Sequence, residues 1–336
     1  MFILCRPICQ VNAQDNCSGA ILNAKAFYDQ GKLREVISEL TPCLTHSFDR
    51  TNLWQGYQLL ALSYLALNDP ADARKAAEDM LENNPQFQAS LLKDPKDFID
   101  LVNSIVVIPK FSLGLSGSVG INNSYFDVGT RYEISDYTKT YKSSAGYQLG
   151  IFGGYNIDKH LDFGIGIYDS YKNYGISYIT NGFKVNDNEK LSYIEIPLTI
   201  KYTIGKYWLK PYLETGAFEG FLVSANSDFS SKYISTGEQF SDNNVSSENR
   251  RNKTNYGLIA GCGITCKFGP GHFLLDLRYC YGLTNIVNGN NRYTDENLYF
   301  KYYYLDDDLK ISNVLLSFGY VYYVNYKVIR SKNLHS

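Results

Sequence analysis

Hydrophobic and polar positions alternate with a period of two from Lys253 to Val287. Tyr256, Leu258, Ala260, Cys262, Ile264, Cys266 and Phe268 interleave with Gly257, Ile259, Gly261, Gly263, Thr265 and Lys267, which places one set on each face of a strand. After Gly269-Pro270-Gly271, a turn signal, Phe273, Leu275, Leu277, Tyr279, Tyr281 and Leu283 alternate in the same way with Leu274, Asp276, Arg278, Cys280, Gly282 and Thr284. The stretch reads as an antiparallel hairpin with one apolar, aromatic face. The other face carries glycines, a hydroxyl and three charges, Lys267, Asp276 and Arg278. Such a hairpin suits a sandwich with its greasy face inward, or a membrane barrel with that face toward lipid. Length favours the barrel: about a dozen alternating residues per run exceed the ~5–6 of an ordinary strand and cover the ~9–11 that a tilted strand needs to cross a bilayer.

The same alternation recurs from Lys110 onward and predicts eight strands. Phe111, Leu113, Leu115, Val119 and Ile121 share one face of the first, and Tyr147, Leu149, Ile151, Tyr155 and Ile157 one face of the second. The third runs from Leu161 to about Tyr174, and the fourth turns Ile194, Ile196, Leu198, Ile200 and Tyr202 outward. The fifth runs from Tyr207 to about Val223, the hairpin supplies the sixth and seventh, and Ile311 to Tyr326 forms the eighth. Connections alternate in length. Asp158-Lys159-His160, Gly205-Lys206 and Gly269-Pro270-Gly271 are tight, whereas 123–143, 176–190, 226–252 and 288–308 read as long polar loops. An outer-membrane barrel has this pattern of short turns at one end, long loops at the other and an even strand number.

Ahead of the strands the period changes. Residues 18–103 read as helical, and AKAFYDQGKLREVISELTPCL and ALSYLALNDPADARKAAEDMLENNP are similar to tetratricopeptide units. Ala24, Tyr28 and Gly31 fall on the packing positions of one unit, and Ala61, Tyr64, Ala73 and Pro85 on those of the next. A plain helical bundle is the alternative; either is an interaction module. Cys17, before the first helix, and Cys43, at the end of its antiparallel neighbour, are expected side by side as a disulfide, which suits an exported compartment. Asp94-Pro95 opens one more short helix and Pro109 ends it where period two begins.

Composition narrows the class. Thirty Tyr and 18 Phe against two Trp suit membrane-water boundaries and sheet faces, and a net charge of -2 offers nucleic acid no basic surface. No apolar run approaches the ~18 residues of a membrane helix, so a membrane location requires a closed barrel. MFILCRPICQVNA reads as the remnant of a secretory signal, with Gln14 as the mature start. The expected organisation is two-domain: a signal remnant at 1–13; an all-α, tetratricopeptide-like helical module at 14–105 in the periplasm; an eight-stranded antiparallel transmembrane β-barrel at 110–326; and a periplasmic tail at 327–336.

Parity directs Asp162, Glu195, Lys201, Lys210, Glu214, Lys267, Asp276 and Arg278 into the lumen. Four acids and four bases enclosed together are expected to pair, which offsets their desolvation and plugs a barrel too narrow for a wide pore. No catalytic, cofactor or metal site is expected. His160 and His272 fall at short turns, Cys262 and Cys266 face opposite to Cys280, and Asp306-Asp307-Asp308 reads as a solvated loop end.

Four segments resemble a family. The AQD start, DPKDFIDLVNS, the junction PKFSLGLSGSVGINNS and LSYIEIPLTIKYTIG look like the outer-membrane β-barrel proteins of Bacteroidetes of the PorT-like group. Tyr193-Ile194-Glu195-Ile196-Pro197-Leu198 is the best-marked motif, and the likeness covers roughly Lys110 to Tyr326. It implies an outer-membrane location and, since some members serve type IX secretion and gliding, a protein partner docked by the helical domain. A surface receptor or adhesin acting through the long loops, and a narrow ion or solute channel, are the competing readings.

Overall fold

The computed structural model describes residues 17, 19–44, 50–126, 139–205 and 209–329. The expected signal segment, most of the polar link at 45–50, the tip of the first long loop and the end of the expected tail lie outside them. The chain divides into two compact units, Met1–Pro109 with Tyr326–Ser336, and Lys110–Asn325.

The first unit holds α1 (Ala20–Asp29), α2 (Leu33–Leu44), α3 (Arg50–Ala66), α4 (Pro70–Asn83) and α5 (Lys96–Ser104). Pro at the first position of α4 and the Asp69 side chain accepting the Asp72 N–H start that helix cleanly. Ala24, Ala61 and Ala77 are fully buried where helices approach, among Val36, Leu40, Met80 and Phe98. Tyr28 and Tyr64 are half-buried on α1 and α3, Gly31 links α1 to α2, Ala73 is buried on α4, and Pro85 lies just past it. Cys17 and Cys43 are joined as a disulfide, their Cα atoms 5.6 Å apart, with Ala20 packed on the bridge.

The strands are β1 (Val106–Phe126), β2 (Thr140–Asn156), β3 (Leu161–Thr180), β4 (Phe183–Thr203), β5 (Leu209–Tyr233), β6 (Gln239–Ser246), β7 (Thr254–Phe268), β8 (Gly271–Gly282) and β9 (Leu309–Ile329). Eight of them close a barrel in the order β1-β2-β3-β4-β5-β7-β8-β9, with β9 back beside β1, and β6 is a short addition paired with β5. The β7–β8 register aligns Cys262 with Leu277 and Phe268 with Gly271, which is the hairpin expected from the alternation. At the tight β2–β3 turn Asp158 Oδ1 accepts the N–H groups of His160 (2.6 Å) and Leu161 (2.9 Å). The terminal strands reach past the barrel. Lys327–Ile329 continue β9 instead of forming a tail, and Val328 and Val107 join the helical unit's core.

Two expected long loops are not loops. β3 and β4 pair continuously to Thr180↔Phe183 around Asn181 and Gly182, whose φ angles of 45° and 78° make the two-residue hairpin that matches strand twist. β5 likewise runs on to Tyr233 and returns as β6. Three strands of 20–25 residues therefore extend well beyond what a bilayer requires.

Along these strands the faces exchange character. On β4 the outward set Ile194, Leu198, Ile200 and Tyr202 is exposed and apolar, and it gives way to Ser192, Lys190, Asn188 and Lys184. On β5 the register shifts opposite Ser192/Tyr193, where Tyr193 pairs with Leu222 and Ser192 with Ser224. This bulge brings Ala225, Ser227, Phe229 and Ser231 inward and turns Ser224, Asn226 and Asp228 outward. Below the bulge the sheet is greasy outside and polar inside. Above it the order inverts, and Tyr174, Ile176, Val185, Leu191 and Phe229 form a buried core with Ile286, Leu298, Tyr302 and Tyr304 from the segment between β8 and β9.

Candidate functional site

The polar interior comes in two layers. In the apolar-band layer, Glu195 on β4 takes Lys172 Nζ of β3 at 2.6 Å and the Gln148 amide of β2 at 2.8 Å. Glu214 on β5 lies 3.8 Å from Lys201 and 3.7 Å from Arg278, which also holds Asp276 at 3.0 Å. The Tyr212 hydroxyl donates to Asp276 (2.9 Å), and Lys201 sits 5.2 Å above the Tyr212 ring. A cavity of about 10 Å³, room for a single water, remains between Gln148, Glu195, Arg278 and Cys280.

The structure thus brings together five of the eight expected lumen charges: Glu195, Lys201, Glu214, Asp276 and Arg278. It adds Lys172, which has the parity of Asp162 and lies within the third strand as read from the sequence, Leu161 to about Tyr174. The expected full pairing fails for the other three. Asp162 lies opposite Lys201 in register without an ion pair, and Lys210 and Lys267 face no acid among the described residues.

The second layer sits above the bulge. Arg251 is fully buried and forks onto Glu189, with Nε at 2.6 Å from Oε1 and Nη2 on Oε2, while Nη2 also reaches Asp306 Oδ1 at 2.8 Å. Arg250 donates to Asp306 Oδ2 at 2.7 Å, the Tyr304 hydroxyl donates to Asp306 Oδ1 at 3.0 Å, and the hydroxyls of Tyr174 and Ser247 donate to Glu189. Lys139 pairs with Asp307 at 3.0 Å and Arg292 with Asp308 at 2.5 Å. The run Asp306-Asp307-Asp308 is therefore not a solvated loop end. Asp306 and Asp307 are each 1% exposed and bind the segment between β8 and β9, including α6 (Glu296–Tyr302), into the mouth. The arginine pair holds the Asp306 carboxyl well below the ordinary carboxylate range, against its burial. Asp187, buried one step along β4 from Glu189 with neither oxygen hydrogen-bonded to the protein, is pushed up to about 8 by burial and then by Glu189.

Among the described residues no group of three His, Cys, Asp or Glu side chains is disposed to hold a metal ion. His160 Nδ1 lies 2.9 Å from the Thr203 carbonyl, and the His272 ring meets Tyr323 edge-on. Cys262 is exposed on the outer face and Cys280 is buried toward the lumen.

A closed eight-stranded barrel, with an exposed apolar band around paired charges, is the architecture that a bilayer imposes on strands. Residues 107–288, more than half of the 336, match the outer membrane protein beta-barrel domain family. The chain belongs to that family. It is an outer-membrane β-barrel protein of the Gram-negative envelope. No curated protein matches this outer-membrane barrel in sequence. Solved structures similar to it include neisserial surface protein A (16% identity, 64% of this chain and 97% of that one, TM-score 0.31). The Ail attachment invasion locus protein of Yersinia pestis is 15% identical over 64% of this chain and all of its own, with a TM-score of 0.30. OprG of Pseudomonas aeruginosa is 13% identical over 64% of this chain and 97% of its own, with a TM-score of 0.35.

Proposed function

We propose that this outer-membrane barrel is a non-enzymatic anchor, holding a tetratricopeptide-like module in the periplasm for a protein partner in secretion, gliding or envelope assembly. The observation that carries the reading is the filled lumen. Salt bridges occupy the level of the apolar band, and a buried aromatic core with a second charge cluster occupies the mouth, so transport through the barrel has little room. The helical unit, by contrast, has its own apolar core and a disulfide, as expected of a part with an independent task. The PorT-like resemblance points to the same partner class, and the short turns lie at the end where β1 begins and β9 finishes, the end that faces the periplasm in outer-membrane barrels.

A surface receptor or adhesin is the second reading, favoured by exposed aromatic side chains between β8 and β9: Tyr293 at 63%, Tyr299 at 40% and Phe300 at 71%. Photo-crosslinkers at the exposed Leu22 and Leu92 of the helical unit, and separately at Tyr293 and Phe300, decide between them in native membranes. Anchoring predicts a discrete protein adduct from Leu22 or Leu92 alone. Adducts confined to Tyr293 and Phe300 would replace anchoring with the receptor reading.

A further inference from the structure

The lysines left over from lumen pairing lie together. Lys210 on β5 and Lys267 on β7 share the inward parity of Tyr212 and Thr265, and His272 on β8 pairs directly with Lys267. Lys210 pairs with Thr265, one step along the same face from Lys267. Same-face partners across a ladder stand ~4.5–5.5 Å apart at Cβ and diagonal ones ~7–8 Å apart, so three nitrogen groups from three neighbouring strands converge at the short-turn mouth of the lumen.

Among the described residues, nothing near them supplies a counter-charge. Asp276 is taken by Arg278 and the Tyr212 hydroxyl, and Glu214 by Lys201 and Arg278. The Tyr212 and Asp276 side chains both press on Gly263, one inward position above Thr265, and so floor the pocket. Tyr323 of β9 walls it, its ring 4.9 Å from the His272 ring, and His272 Nδ1 is buried without a protein hydrogen bond. Lys267, at the rim, is exposed. Two ammonium groups and an imidazole facing inward without an acid are costly to hold together. A group carrying one to two negative charges and several acceptor oxygens relieves that repulsion and uses each donor.

We propose that Lys210, Lys267 and His272 form an anion site for a phosphate group at the short-turn mouth. The floor of Tyr212 and Asp276 stops the group at that depth. The site opens where the apolar band ends, so the same chemistry is presented by the phosphodiester of an anionic phospholipid and by free inorganic phosphate.

The test uses the full chain in a maltoside detergent, which carries no phosphate, with the His272 ring resonances identified by their loss in His272→Gln. Inorganic phosphate is titrated at constant ionic strength against chloride. Phosphatidylcholine nanodiscs with and without phosphatidylglycerol form the lipid arm. A saturable His272 shift with phosphate supports the site with a free ligand, and one seen only with phosphatidylglycerol supports it with a lipid head group. Lys267→Gln, at an exposed position that tolerates change, weakens either response about tenfold, the loss of one charge-assisted contact. Lys253→Gln, outside the site, leaves it unaltered. A shift equal in chloride, no shift in either arm, or a response unaffected by Lys267→Gln overturns the proposal.

Discussion

Arg251 ties the mouth of this barrel together, because it bridges Glu189 on β4 and Asp306 beyond β8. A buried pair of this kind adds little over well-packed apolar groups, but removing one member strands the others. Arg251→Met is therefore expected to destabilise the mouth by about 3–5 kcal/mol, read as a lower urea midpoint. Replacing Arg250, Arg251, Glu189 and Asp306 together by apolar residues of similar size, so that no member is left buried alone, recovers most of that loss. Asp187 and Asp306 impose opposite pH dependences. Asp187 keeps its proton in the folded mouth up to about 8, against an ordinary value of 3.8, so its contribution is whole below 3.8 and is lost as pH rises toward 8. Asp306 is held below its ordinary 3.8, so its contribution is present above that value and lost as pH falls through its folded pKa. Urea midpoints taken from about pH 5 to about pH 9 should decline, and Asp187→Asn should flatten the decline; an equal slope in both proteins would reassign it to another group.

Among the elements, the β3–β4 hairpin is the most exposed to a single change. Gly182 sits at φ 78° beside Asn181 at 45°, and a β-branched side chain is poorly tolerated in that region. Gly182→Val is expected to cost about 1–2 kcal/mol, seen as lost amide protection at Thr180 and Phe183 with protection at Ile165 and Ile200 retained. The same hairpin explains which part of the fold was legible. In the apolar band, outward Ile194, Leu198 and Ile200 against inward Glu195, Thr199 and Lys201 announce a membrane strand from the residues alone. Above the bulge the alternation persists but inverts. Lys184, Asn186, Asn188 and Lys190 read as loop because they are polar, and the inward Val185, Asp187 and Glu189 do not distinguish a core from a solvated turn. The mouth cluster was illegible for a different reason. Arg250, Arg251, Arg292, Lys139 and Asp306 lie in non-periodic segments, and only tertiary closure brings them together.

At the scale of the whole molecule, the two units carry separate reserves of stability. The Cys17–Cys43 bridge closes a loop of 26 residues within the helical unit, a constraint worth about 3 kcal/mol. Cys43→Ser should lower that unit's melting temperature while leaving the barrel's heat-modifiable gel shift unchanged; a lost gel shift would mean that the units fold as one. The inversion at the β5 bulge has a consequence for how such a protein reaches its place. The lower strands are stable only against hydrocarbon, and the upper strands, with their packed tyrosines and buried arginines, only against water. In the orientation proposed above, the upper part would have to pass the bilayer before its core exists, since Glu189, Arg251 and Asp306 cannot cross as an assembled cluster. Once it has passed and closed, withdrawal would mean opening that core and dragging its charges back through oil. In that orientation the folded mouth would act as a rivet head: formed on the far side, it would make insertion one-way.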